Sequence, residues 1–228
     1  MNVDEAIAEL RSVADPTRRP GMARVGINVD RALGVGVPHI RRIAKRAGTD
    51  QVLADALWAT GLHEARTLAT LVADPATLGG RRMASWVADL DSWDVGDAAA
   101  DLFASTPQRD ESIAEWAERE EPYVKRCAFA MIARRAVSDK AASDDVFTGY
   151  FPVIAAAARD DRNEVKKAVS WALRQIGKRN RALHTAAITE AERILDDALA
   201  TGSRGARWVA RDVLRELRNP ATISRLRA

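Results

Sequence analysis

Three segments of the chain resemble one another and recur at a spacing of about 40 residues. They are YVKRCAFAMIARRAV from Tyr123, EVKKAVSWALRQIGK from Glu164 and GARWVARDVLRELR from Gly205. Apolar residues in each recur at helical spacing, whereas an alternation of apolar and polar residues is nearly absent from the whole sequence. The repeat therefore predicts an all-α fold built from similar helical units.

The spacing of about 40 residues is that of HEAT-type helical pairs, which stack into a curved solenoid. Turn signals are frequent, such as DPTRRPG at 15–21, GVGVP at 34–38 and TGSRG at 201–205. They predict about a dozen helices of roughly 10 to 18 residues. No loop has the length or composition of a linker. We therefore expect a single domain over 1–228, a curved solenoid of HEAT-like antiparallel helix pairs.

Several classes of protein are disfavoured by the sequence. No apolar run approaches the roughly 20 residues of a membrane span, and the acidic, amphipathic N-terminus is unlike a signal peptide. The single cysteine, Cys127, excludes an internal disulfide, so a cytoplasmic setting is expected. His39, His63 and His184 lie far apart without companions at ligand spacing. We expect no metal site and no cofactor.

Charge is distributed unevenly, although the net charge is only +3. Residues 91–120 contain nine acidic and two basic side chains, whereas residues 166–181 contain six basic and no acidic ones. Such asymmetry is typical of a surface that binds an anion, including nucleic acid. A solvated charged face would give the same pattern.

The helix expected near Glu164 separates into two faces. Its apolar face has the spacing of a buried stripe and contains Val165, Val169, Ala172 and Ile176. The opposite face has the same spacing and contains Lys167, Trp171, Arg174 and Lys178. A tryptophan among cations on an outward face suggests a binding role. The alternative is lysine stems packed over an incidental tryptophan.

The stretch DSWDVGD at 91–97 places Trp93 and Asp97 one helical turn apart, on a shared face. Asp91 or Ser92 is the expected N-cap of this helix. The apolar residues that follow it, Val95, Leu102 and Phe103, fall on the other side. This pattern disfavours the alternative that Trp93 belongs to the core.

The helix after Pro122 has a third arrangement of this kind. Its predicted core stripe contains Val124, Cys127, Ala128 and Met131. Arg126 is predicted opposite, with the small residues Ala130 and Ala133 leaving it room to reach a ligand. In a solenoid, the three outward faces would line one groove.

Several of these motifs resemble the AlkD-type DNA alkylation repair proteins, HEAT-like-repeat glycosylases that act on alkylpurines. The similar stretches, in chain order, are GMARVGI, ALGVGVPHIRRIAK, LWATGLHEARTLATLV, SWDVGD, VKRCA and KKAVSWALRQIGK. They extend from about Gly21 to Lys178, and the similarity is faint beyond that.

The resemblance implies a role for four residues. Trp93 and Trp171 correspond to the two functional tryptophans of the family, and Asp97 corresponds to its catalytic aspartate. Arg126 corresponds to its DNA-contacting arginine. The basic side chains Lys167, Arg174 and Lys178 would add DNA contacts.

The sequence departs from the family pattern at three positions. A family tyrosine near the N-terminus is Val25 here, and the tryptophan that often precedes the first functional one is Ser92. Gly96 stands inside the helix of Asp97, where glycine costs about 1 kcal/mol relative to alanine.

Together these observations predict a monofunctional glycosylase that excises N3- or N7-alkylated purines from duplex DNA. We expect a monomer in the cytoplasm, associated with DNA, that requires no protein partner. Two alternatives remain: a non-catalytic relative that binds distorted duplex DNA, and a HEAT-type scaffold for protein partners.

Overall fold

The computed structural model describes residues 1–226 and contains no strand in that range. The prediction of an all-α fold is confirmed. Two compact units divide the chain, one formed by Met1–Arg109 and the other starting at Asp110.

The first unit contains one short 3₁₀ helix, Pro16–Arg18, and seven α-helices. These are α1 (Val3–Ser12), α2 (Arg19–Arg24), α3 (Val37–Ala47), α4 (Gln51–Ala59), α5 (His63–Val72), α6 (Gly80–Ala88) and α7 (Trp93–Phe103). Helix α5 packs against α3, α4 and α7 and is therefore the central helix of this unit.

Helix α8 (Arg109–Ala117) starts at the boundary between the units, and seven helices follow it in the described residues. These are α9 (Pro122–Ser138), α10 (Asp144–Thr148), α11 (Phe151–Ala157), α12 (Asn163–Ile176), α13 (Arg181–Thr201), α14 (Arg204–Leu217) and α15 (Pro220–Ile223). Helix α12 packs between α9 and α14. The number of helices exceeds the predicted dozen because the chain also forms short helices such as α10 and α15, and because α2 begins inside the turn expected at 15–21.

Turn chemistry places the helix starts where the sequence predicted them. In GVGVP, Pro38 stands in the first turn of α3, and Gly34 adopts a φ of +81°. A side chain on Gly34 would also overlap the carbonyl oxygen of Asp15, so this position requires glycine.

A buried carboxylate joins this turn to α5. Glu64 is 1% exposed and accepts hydrogen bonds from the backbone N–H groups of Leu33, Gly34 and Val35, at 2.8, 2.7 and 3.1 Å. These three donors precede α3 and have no strand or helix to satisfy them. Glu64 thus compensates for the burial of an irregular backbone segment.

We predict that Glu64→Ala lowers the free energy of unfolding by about 2 to 4 kcal/mol, because it leaves buried N–H groups unsatisfied. Urea denaturation followed by circular dichroism would measure this change. The matched control is Asp30→Ala, which removes an exposed carboxylate from the same unit and should change the stability by less than about 0.5 kcal/mol. Equal stability of the Glu64→Ala variant and the parent would contradict this role of Glu64.

Candidate nucleic-acid site

Helix α7 begins after Ser92, one of the two N-cap residues that the sequence offered. Ser92 is the N-cap, with an extended backbone at φ −147° and ψ 141°. Its hydroxyl does not cap the helix backbone but donates to Asp94 Oδ1 at 2.7 Å and accepts the backbone N–H of Asn28 at 3.3 Å. Ser92 is therefore buried and joins α7 to the segment after α2.

Trp93 is half-buried, and its indole N–H donates to the carbonyl oxygen of Val25 at 3.0 Å. Val25 is the residue that the resemblance aligns with a family tyrosine, and it is 60% exposed. The bond uses the backbone of Val25, so the change of side chain at this position does not affect it.

Asp97 lies one turn after Trp93 and is also half-buried. Val95, Ala99 and Phe103 of the same helix are buried. The prediction that Trp93 and Asp97 share a face outside the core is confirmed. Gly96 has room for a methyl group, since a Cβ there would meet only Leu90 Cδ1, at 3.7 Å.

A buried histidine also holds the first turn of α7. His63 is 8% exposed, and its Nε2 lies 2.9 Å from Asp94 Oδ2. Burial opposes the charge of the imidazole, but the hydrogen bond and the charge of Asp94 outweigh it and raise the pKa of His63. Burial likewise opposes ionisation of Asp94, yet its hydrogen bonds to His63 and Ser92 lower the pKa of this carboxyl.

We did not anticipate the His63–Asp94 contact from the sequence, because 31 residues separate the two partners. The available signal was the stretch LHEAR, in which a histidine and a glutamate follow a turn glycine at the start of a helix. Two charged side chains at such a start, in a helix rich in apolar residues, indicate long-range polar partners.

In the second unit, the prediction for Arg126 is wrong as to its environment. Its side chain is buried rather than directed outward, with the residue 7% exposed, and its Nη1 donates to the carbonyl oxygen of Glu164 at 2.9 Å. Ala130 and Ala133 are fully buried as well. Helix α9 is covered on almost every side, so its amphipathic pattern is weak and does not define an outer face. Cys127 is buried, as predicted.

Trp171 lies outside the core, as predicted, and is half-buried. The guanidinium carbon of Arg134, from α9, lies 5.2 Å from the centre of its ring. The side-chain oxygen of Gln175 is placed to accept the indole N–H at 3.0 Å. One surface of the indole is therefore already covered by a cation, which leaves a smaller area for a ligand.

The basic face of α12 is divided. Lys167 is exposed, but Arg174 and Lys178 both form ion pairs with Glu216 of α14, and Lys178 lies two residues beyond the end of α12. Arg174 Nε also lies 3.5 Å from Asp212 Oδ2. The interpretation of a continuous outward basic stripe is therefore wrong for Arg174 and Lys178, whose side chains reach acidic residues of a neighbouring helix.

A comparison with protein families gives a match over most of the chain. The sequence pattern of a family described as DNA alkylation repair enzyme matches residues 6–217, which is most of the chain. The chain belongs to the DNA alkylation repair enzyme family. No curated protein matches it.

A solved structure has a similar fold. It is described as representing a new family of proteins related to the HEAT-like repeat DNA glycosylases with affinity for branched DNA structures. The TM-score is 0.75 at 17% sequence identity, and the match covers 90% of this chain and 97% of that one. The likeness confirms a HEAT-like repeat fold for this member of the DNA alkylation repair family.

Two searches of the described residues bear on other functions. None of the helices in residues 1–226 combines the length and apolar character that crossing a bilayer requires. In the same range, no three or more His, Cys, Asp or Glu side chains are grouped so that they could hold a metal ion.

The His63–Asp94 pair predicts a pH dependence of stability. The folded pKa of His63 is raised above the unfolded value of 6.5, so its contribution is complete below pH 6.5 and is lost as the pH rises through the folded pKa. The folded pKa of Asp94 is lowered below 3.8, so its contribution is present above pH 3.8 and is lost as the pH falls through the folded pKa. We predict that His63→Gln abolishes the part of the decline above pH 6.5 that comes from this pair.

Urea denaturation between pH 5 and pH 9 would measure this difference. His39→Gln, which changes a histidine beside the exposed Arg42, is the control and should keep the decline of the parent. Parallel stability curves for His63→Gln and the parent over this range would show that the pair does not stabilise the fold as a charged contact.

Proposed function

We propose that this chain is a monofunctional DNA glycosylase that hydrolyses the N-glycosidic bond of N3- or N7-alkylated purines in duplex DNA. The observation that carries the proposal is the placement of Asp97. Its carboxylate lies outside the core, one turn from a tryptophan, on a helix whose first turn is held by Val25, Asn28 and His63. A carboxylate on so well anchored a helix is suited to electrostatic catalysis.

The substrate chemistry needs only one carboxylate that acts on the sugar. A purine alkylated at N3 or N7 carries a formal positive charge, which weakens its bond to the sugar. The departing base takes the bonding electron pair and becomes neutral, so no strong general acid is needed. The sugar acquires oxocarbenium character, as in glycoside hydrolysis.

Asp97 would act on that sugar cation. Its negative charge stabilises the cation, and one carboxylate oxygen positions a water molecule for attack on C1′. The water oxygen bonds to C1′ and its proton passes to the carboxylate and then to solvent. The products are the free alkylated base and an abasic site.

The tryptophans would contribute through their electron-rich faces, which attract a cationic sugar or base by about 0.5 to 2 kcal/mol each. Trp93 is the first such surface, and its indole N–H is held by Val25. The resemblance to the family assigns a similar role to Trp171, whose accessible area is limited by the guanidinium of Arg134.

Phosphate contacts would come mainly from exposed basic residues such as Lys167. The resemblance to the family assigns a DNA contact to Arg126. Its guanidinium donates to a backbone carbonyl of α12, so we propose that it acts chiefly by positioning that helix. The protein would act as a monomer in the cytoplasm, with no cofactor.

A second candidate is a DNA-binding protein without glycosylase activity. The solved structure of similar fold favours it, because that protein is described by its affinity for branched DNA. The glycosylase releases alkylated bases and the second candidate does not. Base release by the parent and by an Asp97 variant therefore distinguishes the two candidates.

We predict that Asp97→Asn lowers the rate of 7-methylguanine release from duplex DNA by about 10²- to 10³-fold. The amide keeps the size of the side chain but loses the charge that stabilises the sugar cation. Affinity for the same DNA should hold or rise, because the carboxylate also repels phosphates. Single-turnover base release and fluorescence anisotropy would measure the rate and the affinity.

Asp101→Asn is the matched control, since it changes an exposed carboxylate one turn further along α7 and should release base at the parental rate. Trp93→Ala should lower the rate of base release by a smaller factor than Asp97→Asn does. The reduction in the double variant should be smaller than the product of the two single reductions, because the residues act together. Release by Asp97→Asn at the parental rate would refute this mechanism. DNA binding without release by the parent itself would establish the second candidate.

We further predict that Lys167→Ala weakens duplex binding uniformly across sequences and flattens its salt dependence by up to about one counterion. Lys140→Ala removes another exposed lysine of the second unit and should leave the salt dependence unchanged. Anisotropy titrations at several salt concentrations would compare the two variants. If the affinity of Lys167→Ala and Lys140→Ala for the duplex falls equally steeply with salt concentration, Lys167 does not contact DNA.

A further inference from the structure

Helix α14 presents a face that the proposed mechanism does not use. The residues directed inward are buried and include Ala206, Val209, Ala210, Val213 and Leu217. The outward residues follow one another at intervals of four, three and four positions, and they are Arg204, Trp208, Arg211 and Arg215. This set, which we call the α14 stripe, extends over about 16 Å along the helix axis.

Trp208 is the aromatic member of the α14 stripe and is 37% exposed. Its ring is supported by α12, because Lys166 Nζ lies 5.7 Å from the ring centre. Lys166 in turn donates to the carbonyl oxygen of Asp161 at 3.1 Å, and Arg204 forms an ion pair with the Asp161 carboxylate at 2.9 Å. The indole is therefore held by neighbouring groups while part of its surface faces solvent.

The surroundings of Trp208 are basic. Residues 204–218 contain five arginines and two acidic residues. Arg204 and Arg215 are paired with Asp161 and Asp212, but their side chains are 83% and 79% exposed. A guanidinium has five N–H donors, so one carboxylate leaves others available. Within residues 1–226, Arg211 is exposed and forms no ion pair.

Exposed arginines with an aromatic ring between them match the chemistry of an unpaired DNA strand. Phosphates bind the guanidinium groups, and an unstacked base packs on the indole. An intact duplex offers only the phosphates, because its bases are stacked on one another. The exposed indole is the feature that selects an unpaired strand over a duplex.

We infer that the α14 stripe binds a short single-stranded DNA segment, with one base stacked on Trp208 and the phosphates held by Arg211 and its neighbours. The inference rests on the proposed DNA binding of this chain and extends it to a second form of DNA, bound by side chains of α14 that the glycosylase proposal does not use. It does not require base excision.

Fluorescence anisotropy with a labelled 12-nucleotide oligo-dT and a fully paired 20-base-pair duplex tests the inference. Trp208→Ala should weaken oligo-dT binding by about 5- to 100-fold, because stacking on one base is lost. Its affinity for the duplex should change by less than about twofold. Trp208→Phe should retain most of the affinity for oligo-dT, since a phenyl ring also stacks.

Arg211→Ala should weaken oligo-dT binding and reduce its salt slope by about 0.7. Arg181→Ala, which removes an exposed arginine from α13, is the matched control and should bind as the parent does. Circular dichroism melting of each variant establishes that it folds. If Trp208→Ala lowers the melting temperature, the inference is tested with the other two variants. Arg211→Ala should then bind oligo-dT more weakly than the parent, and Trp208→Phe should retain most of the affinity.

Three results would overturn the inference: no binding of oligo-dT by the parent, equal affinity of the parent and Trp208→Ala for oligo-dT, or equal losses on oligo-dT and duplex. Competition by polyglutamate as effective as by oligo-dT would also overturn it, since the stripe would then bind acidic chains in general. Base release from 7-methylguanine duplex, measured on the same proteins, separates the two proposals. If the parent releases base and Trp208→Ala binds oligo-dT as tightly as the parent, only this inference is wrong. If the parent releases no base but Trp208→Ala binds oligo-dT more weakly than the parent, only the glycosylase proposal is wrong.

Discussion

Two adjacent side chains at the start of α5 hold the first unit together. Glu64 binds the irregular backbone before α3, and His63 binds the first turn of α7 through Asp94. The backbone N–H of His63 also donates to the carbonyl oxygen of Arg31 at 3.1 Å. The helix that carries Trp93 and Asp97 is therefore fixed to the central helix of its unit by the His63–Asp94 hydrogen bond, and a buried polar group such as the His63 imidazole is costly to leave unpaired.

This arrangement bears on the activity of a chain that departs from its family at several positions. Ser92, which the resemblance aligns with an aromatic residue of the family, contributes a buried hydroxyl between Asn28 and Asp94. Val25 lacks the family's phenol, yet its backbone carbonyl holds the indole of Trp93. The supports of α7 depend on backbone groups and on the His63–Asp94 pair, so the departures do not remove the anchoring of the candidate catalytic carboxylate.

The second unit uses its arginines differently. Arg126 and Arg135 are buried in α9, and both bind oxygen atoms: Arg126 a backbone carbonyl, Arg135 the side chains of Asp110, Asp139 and Tyr150. Burial raises the pKa of the Tyr150 phenol to about 12, so this tyrosine stays protonated and donates to Asp110. Arg174 and Lys178 join α12 to α14 through Glu216. A count of basic residues therefore overstates the exposed basic surface, since these side chains bind groups of the protein itself, whereas Lys167, Arg204, Arg211 and Arg215 are exposed.

The sequence by itself determined the helical class, the helix starts at Ser92 and Pro122, and the shared face of Trp93 and Asp97, because these depend on local periodicity and on turn residues. Trp171 was also placed outside the core for that reason. Only the tertiary structure decided what each outward side chain meets. Helix α12 has a neighbour beside its polar face as well as its apolar one, so Arg174 and Lys178 find Glu216, and α9 is enclosed so completely that Arg126 is buried. Periodicity describes one helix alone, whereas the partners of a polar side chain lie 30 to 40 residues away and are set by how the helices pack.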